Sequence, residues 1–268
     1  LDGNPEAATI IFDLDGTLLN DHHQISDATV EAVQMLRNKG FQLAIATGRH
    51  FKDIQAFIKQ LGGGVAAITT NGASVHNKMG ELVYQQCLPV EANRDLLTFA
   101  DDFSVHTSVY TKDEWLVHEP RESLLIPHQQ SGFFYRQTHR SEIFGADALK
   151  LLFNDQRANL QRLKTRIDSI YGSVLHTTFS DEHYLEVMRA GVSKGDALKI
   201  LLASEGLSAA NTLAFCDGLN DVELLRTVAH PVIMKNADAS LLQMFPHASR
   251  THTNHEDGVA RFLWSKVL

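Results

Sequence analysis

Ile10-Ile11-Phe12-Asp13-Leu14-Asp15-Gly16-Thr17-Leu18-Leu19 opens as an apolar run and ends abruptly in two carboxylates and a Gly-Thr turn. A run without polar alternation reads as a strand buried on both faces. With a side-chain period of two, Asp13 and Asp15 leave the backbone on one side while Leu14 points back to the core. Two like charges so close repel unless a cation lies between them or one holds a proton. A hard, oxygen-seeking ion such as Mg2+ answers that repulsion and keeps waters and a phosphate oxygen in its shell.

The same rhythm continues downstream. Ser26 caps a helix to about Lys39, with Val30, Val33 and Leu36 on one face and Gly40 as its stop. Phe41 to Ala46 is apolar again and ends in Thr47-Gly48-Arg49. Phe51, Ile54, Phe57, Ile58 and Leu61 then recur at helical spacing, and Val65 to Thr70 ends in Asn71-Gly72. Strand-helix units with a polar cluster at each strand's carboxyl end predict a parallel sheet whose crevice holds the ligand. From about Leu82 the pattern changes to an alternating hairpin, Val105 to Tyr110 and Trp115 to His118. It continues with strands at Leu149 to Phe153, Val174 to Phe179 and Tyr184 to Met188, and a helix at Asn159 to Tyr171 that turns Leu160, Leu163, Ile167 and Ile170 inward. Beyond Gly191 strands and helices alternate once more: Ser193 to Glu205, Thr212 to Cys216, Val222 to Val228 and Val232 to Met234. The predicted architecture is α/β: a doubly wound, Rossmann-like parallel-sheet core from 1–81 and 188–268, with an α+β cap inserted at 82–187.

Composition narrows the partners. The chain has 268 residues and a net charge of −8, which disfavours a nucleic-acid or anionic-membrane surface and leaves small molecules. No apolar stretch approaches the roughly 20 residues of a membrane span, and Leu1 to Ala8, without a Met or a pattern, reads as a tag or trimmed end. Cys87 and Cys216 make no disulfide framework, which fits a cytoplasmic location.

Four polar clusters are expected at one sheet edge: Asp13/Asp15, Thr47-Gly48, Lys194 and Asp217/Asn220/Asp221. Singly, each has an ordinary reading as a helix start, a solvated lysine or a loop. In this order they resemble the four motifs of the haloacid dehalogenase-like hydrolases over essentially the whole chain. The cap position and the segments Thr70-Asn71-Gly72-Ala73, Gly191-Val192-Ser193-Lys194-Gly195 and Asp257-Gly258-Val259-Ala260 look like the Cof-type branch with a type IIB cap. That branch consists largely of Mg2+-dependent phosphatases of small metabolites. Thr47-Gly48-Arg49-His50 and the hairpin from Val109 to Trp115 are similar to members that act on pyridoxal phosphate and sugar phosphates.

The resemblance implies a phosphoric monoester hydrolase with Mg2+ as cofactor. Asp13 would be the nucleophile that forms an aspartyl-phosphate, and Asp15 the acid/base. Asp13, Asp15 and Asp217 would hold the metal. The Leu14 amide, Thr47, Gly48, Lys194 and Asn220 would bind the phosphoryl oxygens, with Asp221 holding Lys194 or a metal water. Arg49, Asn71, Gly72, Trp115 and His183 are candidate substrate contacts. Where the branch usually has glycine this chain has Cys216 and Lys235, expected to crowd the loop and to add positive charge beside the phosphate.

Other chemistries compete. A sugar-phosphate phosphomutase would pass the phosphoryl group to a sugar instead of water. A phosphoacceptor signalling module also uses acids, Mg2+, Thr and Lys at a sheet edge, but it explains neither the inserted cap nor Asp15. Cys216 at a buried strand end reads as inert, the histidines form no His-Glu-x-x-His zinc helix, and His22-His23 reads as a solvated turn.

Overall fold

The computed structural model describes residues 8–268, so the leading stretch, apart from Ala8, lies outside the described residues. The chain divides into two compact units, one made from its two ends, through Tyr84 and from Ser193, and one comprising Gln85–Val192.

The first unit begins with β1 (Thr9–Phe12), buried along its whole length, and α1 (Asp27–Asn38), whose first turn is capped by the Ser26 side chain. β2 (Gln42–Ala46) follows, then a 3-10 turn over Phe51–Ile54 capped by His50, which runs into α2 (Gln55–Gln60). β3 (Ala66–Thr69) turns back through β4 (Ser74–His76) to β5 (Leu82–Gln85).

The second unit contains α3 (Val90–Asp102), β6 (His106–Tyr110), β7 (Trp115–Val117), β8 (Arg136–Gln137), α4 (Arg140–Gly145), β9 (Lys150–Asn154), α5 (Arg157–Tyr171), β10 (Leu175–Asp181) and β11 (Tyr184–Arg189). Its six strands run in the order β10-β11-β9-β6-β7-β8. One face packs Val109, Leu151, Phe153, Leu185 and Val187 against Leu96 and Leu97 of α3 and Leu160, Leu163 and Ile167 of α5. Ile170, expected inward, is 45% exposed: it lies ~80° around α5 from Leu160, at the edge of the apolar stripe and in the last turn.

The chain then completes the first unit with α6 (Lys194–Glu205), β12 (Thr212–Cys216), α7 (Val222–Thr227), β13 (His230–Ile233), α8 (Ala239–Met244), β14 (Ser249–Arg250) and α9 (Gly258–Lys266). Its sheet order is β14-β13-β12-β1-β2-β3-β4-β5. β1 pairs in parallel with both β2 and β12, so the chain winds outward from β1 in one direction and later in the other. The strand order reverses between β1 and β12, and ligands bind in the crevice that such a reversal opens beyond the strands' carboxyl ends. The layers on either side explain why β1 lacks polar alternation. Ile10 and Phe12 pack with α1 and α9, and Ile11 with α6 and α7. Each such side chain contributes about 1.5–3 kcal/mol by leaving water.

The inserted unit starts and ends later than 82–187. Leu82 belongs to β5, at the edge of the first sheet, and β11 runs on to Arg189. Among the described residues no helix is long and apolar enough to cross a membrane.

Candidate active site

Lys194 occupies the first position of α6, and its side chain is wholly buried. Close backbone approaches put it there. Ser193 caps α6, accepting from the Asp196 amide at 3.0 Å. Gly72, at φ +102°, lets the Ser193 carbonyl approach to where a Cβ would stand only 2.3 Å away. The lysine Nζ then donates to Asp13 Oδ1 and to Asp221 Oδ1, both at 2.6 Å.

Asp13 ends β1 and Asp217 follows β12, on either side of the strand-order reversal. Oxygens of Asp13, Asp217 and Asp221 lie within 4.8 Å of one another. Thr17 Oγ1 donates to Asp217 Oδ1 at 2.6 Å, and Gly16, at φ +79°, leaves the room that a Cβ 2.3 Å from Asp217 Oδ2 would take. Asp221 Oδ2 accepts from the amides of Asp217 and Gly218 and so holds the loop closed. Burial, then the charge of Asp221, raises the Asp13 carboxyl well above the usual range despite Lys194. The same two causes push Asp217 up to about 6. Burial works against the Lys194 ammonium, but Asp13 and Asp221 outweigh it and hold the charge. Lys194 thus grips two of three neighbouring carboxylates, and the set of all-oxygen donors is short of positive charge in the way that a hard divalent cation would relieve.

Asp15 differs from the sequence expectation. Its carboxylate stands outside that trio and is taken by Arg49, whose Nε and Nη2 donate to Oδ2 and Oδ1 at 2.8 and 2.7 Å. Burial would raise Asp15, but the Arg49 fork and His23, with Nδ1 3.9 Å from Oδ1, hold it well below the usual carboxylate range. His23 lies in the exposed turn expected of it, its side chain 51% exposed, and from there its ring reaches Asp15. Arg49, expected on the substrate, instead spans Asp15 and Asp53 Oδ2, the latter at 3.4 Å from Nη1. The Arg49–Asp53 pair is local, four positions apart, but nothing in the local pattern announces Arg49–Asp15, 34 positions apart.

The remaining predicted residues close the crevice from the β2 and β3 side. Thr47 is buried, and its Oγ1 accepts from the Arg49 amide at 3.1 Å. The Asn71 amide donates to the Thr47 carbonyl and the Thr70 amide to that of Arg49, so the loops after β2 and β3 are laced together. Asn71 sits at φ +55°, and its Oδ1 accepts from Asn220 Nδ2 at 3.1 Å, joining the loop after β12. A Cβ on Gly48 would lie 3.2 Å from that same Asn71 oxygen. Leu14 is fully buried. Asn236, unassigned from the sequence, donates to the Gly16 carbonyl at 2.7 Å and fixes the turn after Asp15. Cys216 packs in the cluster beneath α6 and α7 instead of crowding the loop, and burial pushes its thiol up. Lys235 is exposed.

Trp115 and His183 lie in the other unit. Trp115 is 1% exposed, stacked on Tyr110 at 5.3 Å and grouped with Val117 and Leu124, so it is core of that unit and not a surface contact. The alternation of β7 turns it onto the sheet face away from α3 and α5. His183 is exposed in the turn between β10 and β11.

A model of the family described as haloacid dehalogenase-like hydrolase matches residues 10–263. An HMP-PP phosphatase of Cronobacter sakazakii is 32% identical over 252 residues, covering 94% of this chain and 93% of its own. A solved haloacid dehalogenase-like hydrolase of B. subtilis superposes with a TM-score of 0.86 at 26% identity, covering 97% of this chain and 100% of that one. A sugar phosphatase of subclass IIB has the same fold, with a TM-score of 0.83 at 21% identity over 96% of this chain and 98% of that one.

Proposed function

The chain belongs to the haloacid dehalogenase-like hydrolases and is a phosphatase, and from that premise we propose that it hydrolyses small phosphorylated metabolites through an aspartyl-phosphate on Asp13. Pyridoxal phosphate and sugar phosphates are the first candidates, and the name of the C. sakazakii relative adds HMP-PP. The single observation that carries the reading is the buried Lys194, gripping Asp13 and Asp221 at 2.6 Å each beside Asp217. Such an arrangement fixes one carboxylate at a strand end, places an ammonium where phosphoryl oxygens would develop charge, and leaves acidic oxygens for a cation.

Asp13 and Asp217, with Asp221 behind them, would hold Mg2+, which when bound supplies the positive charge that screens these acids and the phosphate from one another. Asp13 attacks phosphorus as the bond to the leaving oxygen breaks, and Asp15, ionised in the Arg49 fork, passes to that oxygen a proton it first takes from water at its exposed edge. Water then attacks the phosphorus of the aspartyl-phosphate, Asp15 takes its proton, and phosphate departs with Asp13 restored. Lys194, Asn220, Thr47 and the Leu14 and Gly48 amides bind the phosphoryl oxygens through both steps. The free thiols Cys87 and Cys216 support a reducing, cytoplasmic location.

A panel of phosphate esters, including pyridoxal phosphate, hexose phosphates, flavin mononucleotide and HMP-PP, assayed with Mg2+ for free phosphate, tests the reading. Release from at least one ester, abolished by chelator, is expected. An isomerised sugar phosphate without free phosphate, formed with a bisphosphate activator, would make the protein a phosphomutase instead.

A further inference from the structure

We propose that Asp53 is a positioning residue for the reaction: it anchors Arg49 from behind, so that the guanidinium edge facing Asp15 is fixed and the acid/base carboxylate is aimed. The proposal rests on the reading of Asp15 as acid/base.

Three charged side chains lie in line across the site. Asp15 is at the open end, its side chain 47% exposed; Arg49 is next, 7% exposed; Asp53 is innermost and fully buried. Arg49 gives Asp15 one edge of its fork, Nε and Nη2, and gives Asp53 the far nitrogen, Nη1, at 3.4 Å. Asp15 and Asp53 therefore take different edges of one rigid, planar fork. Phe57 lies against that plane, its ring centroid 5.7 Å from the guanidinium carbon. The Arg49 backbone is equally constrained, with its amide on Thr47 Oγ1 and its carbonyl on the Thr70 amide.

Burying a carboxylate as completely as Asp53 costs several kcal/mol that a partnered charge offsets, and the Arg49 guanidinium, with Nη1 3.4 Å from Oδ2, is such a charge. A guanidinium tied at one edge to a half-exposed Asp15 is held more firmly when a fully buried carboxylate, in the 3-10 turn just after it, takes the far nitrogen. A proton donor must lie within hydrogen-bond reach of the leaving oxygen, and a misplacement of about 1 Å costs on the order of a hundredfold.

The test compares a p-nitrophenyl ester, whose leaving group departs with little need of a proton, with a simple alkyl phosphate, which needs one. Asp53→Asn keeps the shape and removes the charge. Its kcat/KM for the alkyl ester is expected to fall about ten- to a hundredfold more than for the aryl ester. In an Arg49→Lys background, where one ammonium cannot serve both carboxylates, the same substitution should add no further discrimination. Equal losses on the two esters, or independent effects of the two substitutions on their ratio, would overturn the role. Should Asp53→Asn not fold, Arg49→Lys alone gives the same comparison from the other partner, with equal losses again decisive against it. Wild-type protein inert toward both esters with Mg2+ would overturn the phosphatase reading and this role with it.

Discussion

Lys194 and Asp13 meet at 2.6 Å, Nζ to Oδ1, with the lysine wholly buried and the aspartate nearly so. Lys194 is the positive charge that both Asp13 and Asp221 grip, so Lys194→Met should leave two buried acids without that counter-charge. Loss of one partner from a buried pair costs about 3–5 kcal/mol. We expect a corresponding loss of unfolding free energy by denaturant titration, partly recovered on adding Mg2+, together with a collapse of kcat. A variant as stable as the wild type in chelator would show that the pair does not carry the charge balance assigned to it.

Asp13→Asn should abolish turnover while keeping the fold, because the amide is nearly isosteric but cannot attack phosphorus. A loss of at least about a thousandfold, some 4 kcal/mol of barrier, is expected. Asp15→Asn should instead separate the steps. With an activated aryl ester the first step needs little protonation, so the phospho-enzyme should accumulate and appear as added phosphoryl mass in intact-protein spectra. Absence of that species at every time point would remove Asp15 from the water-activating role.

Much of this arrangement is legible in the chain, and for local reasons. The buried run before Asp13, the serine caps at Ser26 and Ser193 and the stop at Gly206 are signals carried within one turn or one strand. α3 could have been found too, since Pro89 precedes it and Ala92, Leu96 and Ala100 recur at helical spacing on its buried face. What local pattern cannot convey is which distant partner satisfies a charge. Arg49 reads as a substrate ligand until the fold brings Asp15, 34 positions away, onto its fork, and Trp115 reads as a hairpin aromatic until Tyr110, Val117 and Leu124 enclose it. His23 is the exposed turn residue it reads as, and only its approach to Asp15, eight positions back, is hidden from the local pattern.

The charge shortage at the metal-candidate trio predicts a pH dependence with a definite sign. Asp217 titrates near 6 when folded, against 3.8 ordinarily, so the folded protein keeps this proton to higher pH than the unfolded chain. Without metal, stability should therefore fall as pH rises from about 4 to about 6. A bound dication favours the ionised acids, so the rise in Tm on adding Mg2+ should be larger above that window than below it. Equal Mg2+ shifts at both ends, measured by thermal unfolding in chelator-treated protein, would contradict the assignment of these oxygens to a cation.

The last expectation concerns Trp115, which separates packing from selection. The residue is 1% exposed, stacked on Tyr110, tilted against His128 at 5.0 Å and set edge-on to Tyr135. Truncating so large a buried aromatic typically costs about 3–5 kcal/mol through lost transfer energy and the cavity left behind. Trp115→Ala should accordingly destabilise the inserted unit, and any loss of kcat/KM should be of similar size for an aryl phosphate and for the best natural ester. His183→Ala, in the exposed turn, should leave stability within about 0.5 kcal/mol. A Trp115→Ala protein of wild-type stability whose substrate ranking changed would show that this ring reads the substrate after all, and that its enclosure by Tyr110 and Leu124 is not what fixes the residue there.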